Sequence, residues 1–197
     1  MEDASFSEEV LRKVLVEVSK AMTETDRVII AGGSAIALRY NSSHLTTDID
    51  VIDSDDIVAG DAFWKAVESV SKNHPDFPKI NKRASAVANV PWNWEDRLEK
   101  IPGFDQTNLI VYVPEIHDLA LMKLSRGEER DFEGIEAVHW VQPFDTERLL
   151  RVFEDEMAKY IVADVSRIRS QIKGAIRHLK EISKKQEEAM RKIQSER

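Results

Sequence analysis

Cysteine is absent from the 197 residues. Its absence excludes disulfides, thiolate zinc sites and a cysteine nucleophile. No apolar run approaches the ~18 residues that would read as a membrane span. The opening stretch, MEDASFSEEV, is acidic and lacks the apolar centre of a signal peptide. A cytoplasmic protein with no membrane partner is therefore expected. No internal repeat and no low-complexity linker interrupts the chain. Basic excess is also missing, since the net charge is −8. An acidic body repels nucleic acid on average, although a local basic surface can still bind it.

What is present is enough apolar residue to fold, at 42%, with a charged fraction of 32% that implies much solvated helix surface. The charge is uneven. From Asp164 onward there are 10 Lys/Arg against 5 Asp/Glu, a net of +5 that leaves −13 on the remainder. The basic tail reads either as a solvated helix face or as a binding surface. An acidic body is compatible with a magnesium–nucleotide site, because the metal supplies the positive charge.

Periodicity assigns the elements. Val10, Leu11, Val14, Leu15, Val18 and Met22 have helical spacing, with Ser7 as the expected cap. Val28 to Ala31 reads as a buried strand ended by Gly32-Gly33, and Ser34 to Tyr40 as a helix. Thr47 to Ile52 alternates, with Ile49 and Val51 on one face and Asp48 and Asp50 on the other. A helix is expected over 61–72, broken by Pro75 and Pro78. The stretch from Lys79 to Gly103 is less regular, with Ala86-Val87-Ala88 as a candidate strand. Leu109 to Val113 is a strand, followed by helices at 117–126, 131–140 and 145–162. The last helix, 164–195, sets Val165, Ile168, Ile172, Ile176, Leu179 and Ile182 on one face, suited to packing on the body or on a partner. The fold class is α+β, a mixed sheet flanked by helices and then an all-helical part ending in a long helix. The expected division is a core at 1–115 and a helical part at 116–197.

The chemistry centres on Asp48-Ile49-Asp50. On a strand, side chains two apart share a face and stand about 6.7 Å apart. Two carboxylates at that separation repel by roughly 2–3 kcal/mol at an effective dielectric near 20. Such a pair fits a cation between its members, and magnesium accepts few protein carboxylates. The competing reading is a solvated edge strand. Ahead of the pair, a buried strand runs into Gly32-Gly33-Ser34 and a helix. Glycine lets backbone N–H groups approach an anion, the helix start adds a positive dipole end, and a serine hydroxyl can meet a phosphate oxygen. The competing reading is an ordinary strand-to-helix turn. A P-loop is excluded because no Gly-Lys-Ser/Thr follows, and a nucleophile elbow because position 36 is Ile.

The order strand, Gly-Gly-Ser, helix, Asp-x-Asp strand resembles the DNA polymerase β-like nucleotidyltransferase superfamily, with 13 residues between Ser34 and Asp48. Arg39 and Thr47 resemble its small bacterial members. A second block, DLALMKLSRGEERDFEGI from Asp118 to Ile135, is similar to that of AbiEii-type toxin nucleotidyltransferases. The resemblance covers residues 26–140. It implies that Asp48, Asp50 and Lys123 are catalytic and that the two aspartates hold Mg²⁺ or Mn²⁺. Gly32, Gly33, Ser34, Arg39, Thr47, Arg126 and Asp131 would bind substrate. Lys123 would meet the phosphates, Arg126 would share its helix face, and Asp131 would orient this basic pair or help close the site. Without the resemblance, Lys123 and Arg126 read equally as solvated surface.

Two departures stand out. The superfamily's third acid is expected near Lys79 to Arg83, which contains none, leaving Asp96 as a substitute. Gly134 occupies a position where relatives often carry Asp. The five histidines lack zinc spacing, and Trp92 and Trp94 read as loop anchors or as base-stacking residues. The resemblance implies a metal-dependent nucleotidyltransferase moving a nucleoside monophosphate from a nucleoside triphosphate to a hydroxyl of RNA (tRNA especially) or protein. It would be the toxin of a toxin–antitoxin pair, with an antitoxin protein as partner. The alternatives are a catalytically weak or inactive nucleotide- or RNA-binding module that works through its terminal helix, and a purely structural interaction protein.

Overall fold

The structure is a computed structural model that describes residues 5–41, 43–83, 89–104, 107–162 and 164–195. It divides into two compact units, Met1–Val87 with Asn93–Glu115, and Ala88–Trp92 with Ile116–Arg197.

The first unit is built on a five-stranded sheet of order β3-β2-β1-β5-β4. Its strands are β1 (Asp26–Ala31), β2 (Asp48–Ile52), β3 (Lys79–Arg83), β4 (Glu99–Lys100) and β5 (Leu109–Val113). The sheet is mixed: β1 runs antiparallel to β2 and parallel to β5, and β2 runs parallel to β3. Strand β1 is buried continuously from Val28 to Ala31, whereas β5 buries alternate side chains and β2 leaves Asp48 and Asp50 half-buried. Val28, Ile29, Ile30, Ile49, Val51, Leu109, Val111 and Val113 are all fully buried. Helix α1 (Glu8–Ala21) supplies Leu11, Val14, Leu15 and Val18 to the core. It packs on α3 (Asp61–Asn73), which buries Phe63, Ala66, Val67 and Val70. Ser7 stands at the N-cap of α1 without a side-chain cap bond, and its carbonyl accepts from the Leu11 amide instead.

Helix α2 begins earlier than the expected Ser34, at Gly32, and runs Gly32–Ala35 before widening into a π-helical turn, Ile36–Tyr40. Gly32 has φ 68°, the left-handed conformation that lets the chain turn directly out of β1. The far end is fastened by the Tyr40 hydroxyl, which donates to the Pro114 carbonyl at 2.6 Å. Burial, then the nearby Glu99 and Glu115 carboxylates, push this phenol far above its ordinary pKa, so it stays a neutral donor.

Strands β3 and β4 lie in the stretch whose sequence reads as irregular. The expected strand at Ala86-Val87-Ala88 lies outside the described residues.

The second unit is helical: α4 (Ile116–Arg126), α5 (Glu129–Val141), α6 (Thr146–Val152) and α7 (Val165–Ser195). The single helix expected over 145–162 is instead α6 followed by a π-helical turn, Phe153–Met157. Asp145 caps α6 by accepting from the amides of Glu147 and Arg148. Helix α4 is buried from Ile116 to Ser125, as expected of a central helix packed by α5, α6 and α7. Of the expected stripe, Ile168, Ile172, Ile176, Leu179 and Ile182 are buried in cis, and Val165 is half-buried. Beyond it, Met190 and Ile193 are exposed. His139 joins α5 to α7: its Nδ1 accepts from the Phe144 amide, and its Nε2 meets the Ser183 hydroxyl at 2.8 Å. Burial lowers its pKa and keeps the ring neutral. No helix among the described residues is long and apolar enough to cross a membrane.

Candidate active site

Strand β2 is not an edge. It lies between β1 and β3, so the reading of Asp48 and Asp50 as a solvated edge pair fails. Alternation puts Ile49 and Val51 in the core and leaves both aspartates half-buried on the opposite face. The register opposes Asp50 to Ala31 on one side and to Asn81 on the other. The Asn81 amide nitrogen donates to Asp48 Oδ2 at 2.7 Å and reaches Asp50 Oδ1 at 3.4 Å. One nitrogen therefore touches both carboxylates, which fixes them on a shared face.

The glycine bend closes over this pair. A β-carbon placed on Gly32 would fall 3.2 Å from Asp50 Oδ2, so the bend passes directly beside the carboxylate. At Gly33 the same carbon would lie 2.8 Å from Thr46 Oγ1 and 3.3 Å from His44 Nε2. Thr46 is held by reciprocal backbone bonds with Phe6, at 2.7 and 3.2 Å, and cannot move aside freely. Gly33→Ala should consequently cost about 1–3 kcal/mol of stability through overpacking. A thermal melt indistinguishable from wild type would show that the contact is slack.

The other expected residues are placed unequally. Ser34 is 1% exposed and its hydroxyl donates to the Ala31 carbonyl at 2.9 Å. It braces the bend from inside and does not offer its oxygen to a phosphate at the surface. Arg39 pairs with Glu99 at 2.6 Å on the exposed side of the π-helical turn. Thr47 is exposed, and it is Thr46, one residue earlier, that abuts Gly33. Thr46, His44 and Asn81 are the residues that motif matching misses. Counting back by twos from Asp50 through Asp48 reaches Thr46, so strand periodicity contained that signal.

Asp96 stands in a short 3₁₀ turn, Trp94–Arg97. Among the described residues no third His, Cys, Asp or Glu completes a metal cluster. The donor set is thus two carboxylates with an amide beside them. Magnesium and manganese fit it, since such ions take one or two protein carboxylates and fill the rest of the shell with water and phosphate oxygens.

In the helical unit, Lys123, Arg126 and Asp131 come together. Lys123 Nζ donates to Asp131 Oδ1 at 3.1 Å. Arg126 grips the same carboxylate with Nε at 3.0 Å and a terminal nitrogen at 2.6 Å, a two-pronged contact. Asp131 is wholly buried and Lys123 nearly so, while the Arg126 side chain keeps 31% exposure. Lys123 therefore points its ammonium at Asp131 and not at solvent. Gly134 is buried one turn beyond Asp131, on the same helix face.

Trp94 is buried, an anchor. Trp92 is exposed and stacks on Tyr160 with ring centres 4.9 Å apart. A cavity of about 330 Å³ between α5 and α7, walled by Phe132, Ile135, Ala175 and Leu179, contains none of the expected site residues.

Neither curated proteins nor solved structures provide a match to the chain. Residues 9–186 match the family described as "Nucleotidyltransferase of unknown function (DUF6036)". That span takes in the glycine bend, the aspartate pair, Asn81 and the charged triad, and the chain belongs to this family of nucleotidyltransferases.

Proposed function

We propose that the chain transfers a nucleoside monophosphate from a nucleoside triphosphate to a hydroxyl group of an RNA or protein acceptor. The acceptor oxygen would bond to the α-phosphorus as its bond to the bridging oxygen breaks, and pyrophosphate would leave. The observation that carries this reading is the apposition of the Gly32 bend to the Asp50 carboxylate, with Asp48 on the same face. A triphosphate needs both a close-approaching backbone and a cation site, and the Gly32 bend and the aspartate pair would supply them side by side.

Asp48 and Asp50 would hold Mg²⁺ or Mn²⁺. A cation there supplies Lewis-acid polarisation of the phosphate and neutralises developing charge. The bend at Gly32 and Gly33 leaves the first helical amides without intrahelical partners, available to phosphate oxygens. Within the helical unit, Arg126 alone of the charged triad keeps surface and could meet an anion there. Lys123 and Asp131 would position it.

The similarity of the Asp118 to Ile135 block to AbiEii-type toxins leads us to place the acceptor in RNA, tRNA foremost, or in a protein, and to expect an antitoxin partner. A second reading is favoured by one observation, the amide of Asn81 at a register where an acid was expected. It is a binding module with the fold and little turnover. Incubation with each α-³²P-labelled nucleoside triphosphate, Mg²⁺ or Mn²⁺ and total cellular RNA or protein separates the two. The transferase reading expects label on a macromolecule and release of pyrophosphate. Nucleotide binding with no labelled product from any of the four nucleotides would establish the module.

A further inference from the structure

The strand beside the aspartates reads Lys79-Ile80-Asn81-Lys82-Arg83 and has no acid. Its parallel register nevertheless delivers Asn81 directly opposite Asp50. The side chain is half-buried, and its nitrogen lies 2.7 Å from Asp48 Oδ2 and 3.4 Å from Asp50 Oδ1. An asparagine amide has two unlike ends, an NH₂ that only donates and an oxygen that only accepts or ligates. With no cation between them, two carboxylates repel, and the NH₂ end is the one they attract. A cation at the same place would repel the NH₂ and attract the oxygen. Rotation by half a turn about the bond to the terminal amide exchanges the two ends.

We propose that Asn81 is a third, reversible member of the cation site. Its NH₂ holds Asp48 and Asp50 together in the metal-free protein, and its Oδ1 turns inward as a neutral ligand when a divalent cation binds. This rests on the reading that the two aspartates are a cation site. A neutral third ligand leaves the donor set at two negative charges, which a divalent cation only balances. Bare cation is therefore held weakly, and a cation arriving on a triphosphate brings the remaining oxygen ligands with it. An acid in place of Asn81 would reverse both properties. It would bind bare cation more tightly and would leave three carboxylates facing one another in its absence.

The test is titration of the full chain with Mn²⁺ alone, following free Mn²⁺ by electron paramagnetic resonance, together with thermal melts with and without the ion. Asn81→Asp is expected to tighten Mn²⁺ binding about tenfold or more, to melt lower than wild type without metal and to recover with Mn²⁺. Asn81→Leu, of similar size and without either amide end, is expected to weaken Mn²⁺ binding about tenfold. Should either variant bind Mn²⁺ as wild type does while the Asp48→Ala/Asp50→Ala double variant has lost it, the role given to Asn81 is wrong and the aspartate site stands. Undiminished Mn²⁺ binding by that double variant would remove both. Asn81→Asp differs from wild type by one isosteric group, so it keeps the question answerable if Asn81→Leu does not fold.

Discussion

Asp131→Asn should destabilise the helical unit by about 3–5 kcal/mol at neutral pH, measured by urea or thermal unfolding. The carboxylate is wholly buried and accepts from two cations, Lys123 at 3.1 Å and Arg126 at 2.6 and 3.0 Å. An amide of the same shape removes the charge and keeps the volume. It leaves the Lys123 ammonium, itself almost fully buried, with no counter-charge. The large cost comes from that stranded charge, more than from the loss of a favourable pair, because buried pairs gain little over apolar replacements. The double change Lys123→Met/Asp131→Leu should accordingly recover most of the lost stability. If it is as unstable as Asp131→Asn, the loss lies in shape or in Arg126 and not in the isolated ammonium.

The same cluster sets a pH dependence. Burial pushes the Asp131 carboxyl upward, but the hydrogen bonds from Arg126 and the Lys123 charge outweigh it and hold the pKa below the ordinary 3.8. A depressed carboxyl contributes stability that is present above the ordinary value and is lost as pH falls through the lower, folded one. Burial is the larger influence on Lys123 and lowers its pKa from 10.5, against the upward pull of Asp131. A lowered lysine costs stability while charged, and that cost fades as pH rises through its folded pKa towards 10.5. In Asp131→Asn the upward pull is gone, so Lys123 sheds its proton at still lower pH. The gap between wild type and variant should therefore narrow in acid, where wild type protonates Asp131, and again in alkali, where the variant neutralises Lys123. A gap constant from acid to alkaline pH would rule out this account.

The parts that were legible in the sequence are those whose pattern is complete within one element. Ile168, Ile172, Ile176, Leu179 and Ile182 repeat at helical spacing, and all are buried. Asp48 and Asp50 alternate with Ile49 and Val51, and the strand follows. Strand β3 was not legible because Lys79-Ile80-Asn81-Lys82-Arg83 carries a single apolar side chain. Its identity comes from pairing with β2, a tertiary fact, and Asn81 was missed with it. The i, i+3 spacing of Lys123 and Arg126 was visible, but the burial of Lys123 was not. It depends on Asp131 from the next helix, reached across the turn at Gly127, whose φ is 73°. Ser34 sits differently from the expectation. A hydroxyl after two glycines suits a phosphate, yet the helix starts at Gly32, and this places Ser34 one turn in, where its own strand end supplies the acceptor.

Asp48→Ala and Asp50→Ala should each lower nucleotidyl transfer on the order of 10³-fold, as expected when about 4 kcal/mol of transition-state charge stabilisation is lost. A structural residue would show a matching loss of stability, and here the opposite is expected. Each carboxylate stands beside the other on one face of β2, a repulsion of up to roughly 2–3 kcal/mol near a dielectric of 20 that the further partners of each acid offset in part. Removing either relieves that repulsion. It also leaves Asn81 with an acceptor, because its nitrogen reaches both carboxylates. The two variants should thus melt at or above the wild-type temperature without added cation, while showing no stabilisation on adding Mn²⁺ with a nucleoside triphosphate. Stability sacrificed where chemistry is done is the signature of a functional pair. A pair kept only for folding would melt lower when either acid is removed, and that result would end the case for Asp48 and Asp50 as catalytic ligands.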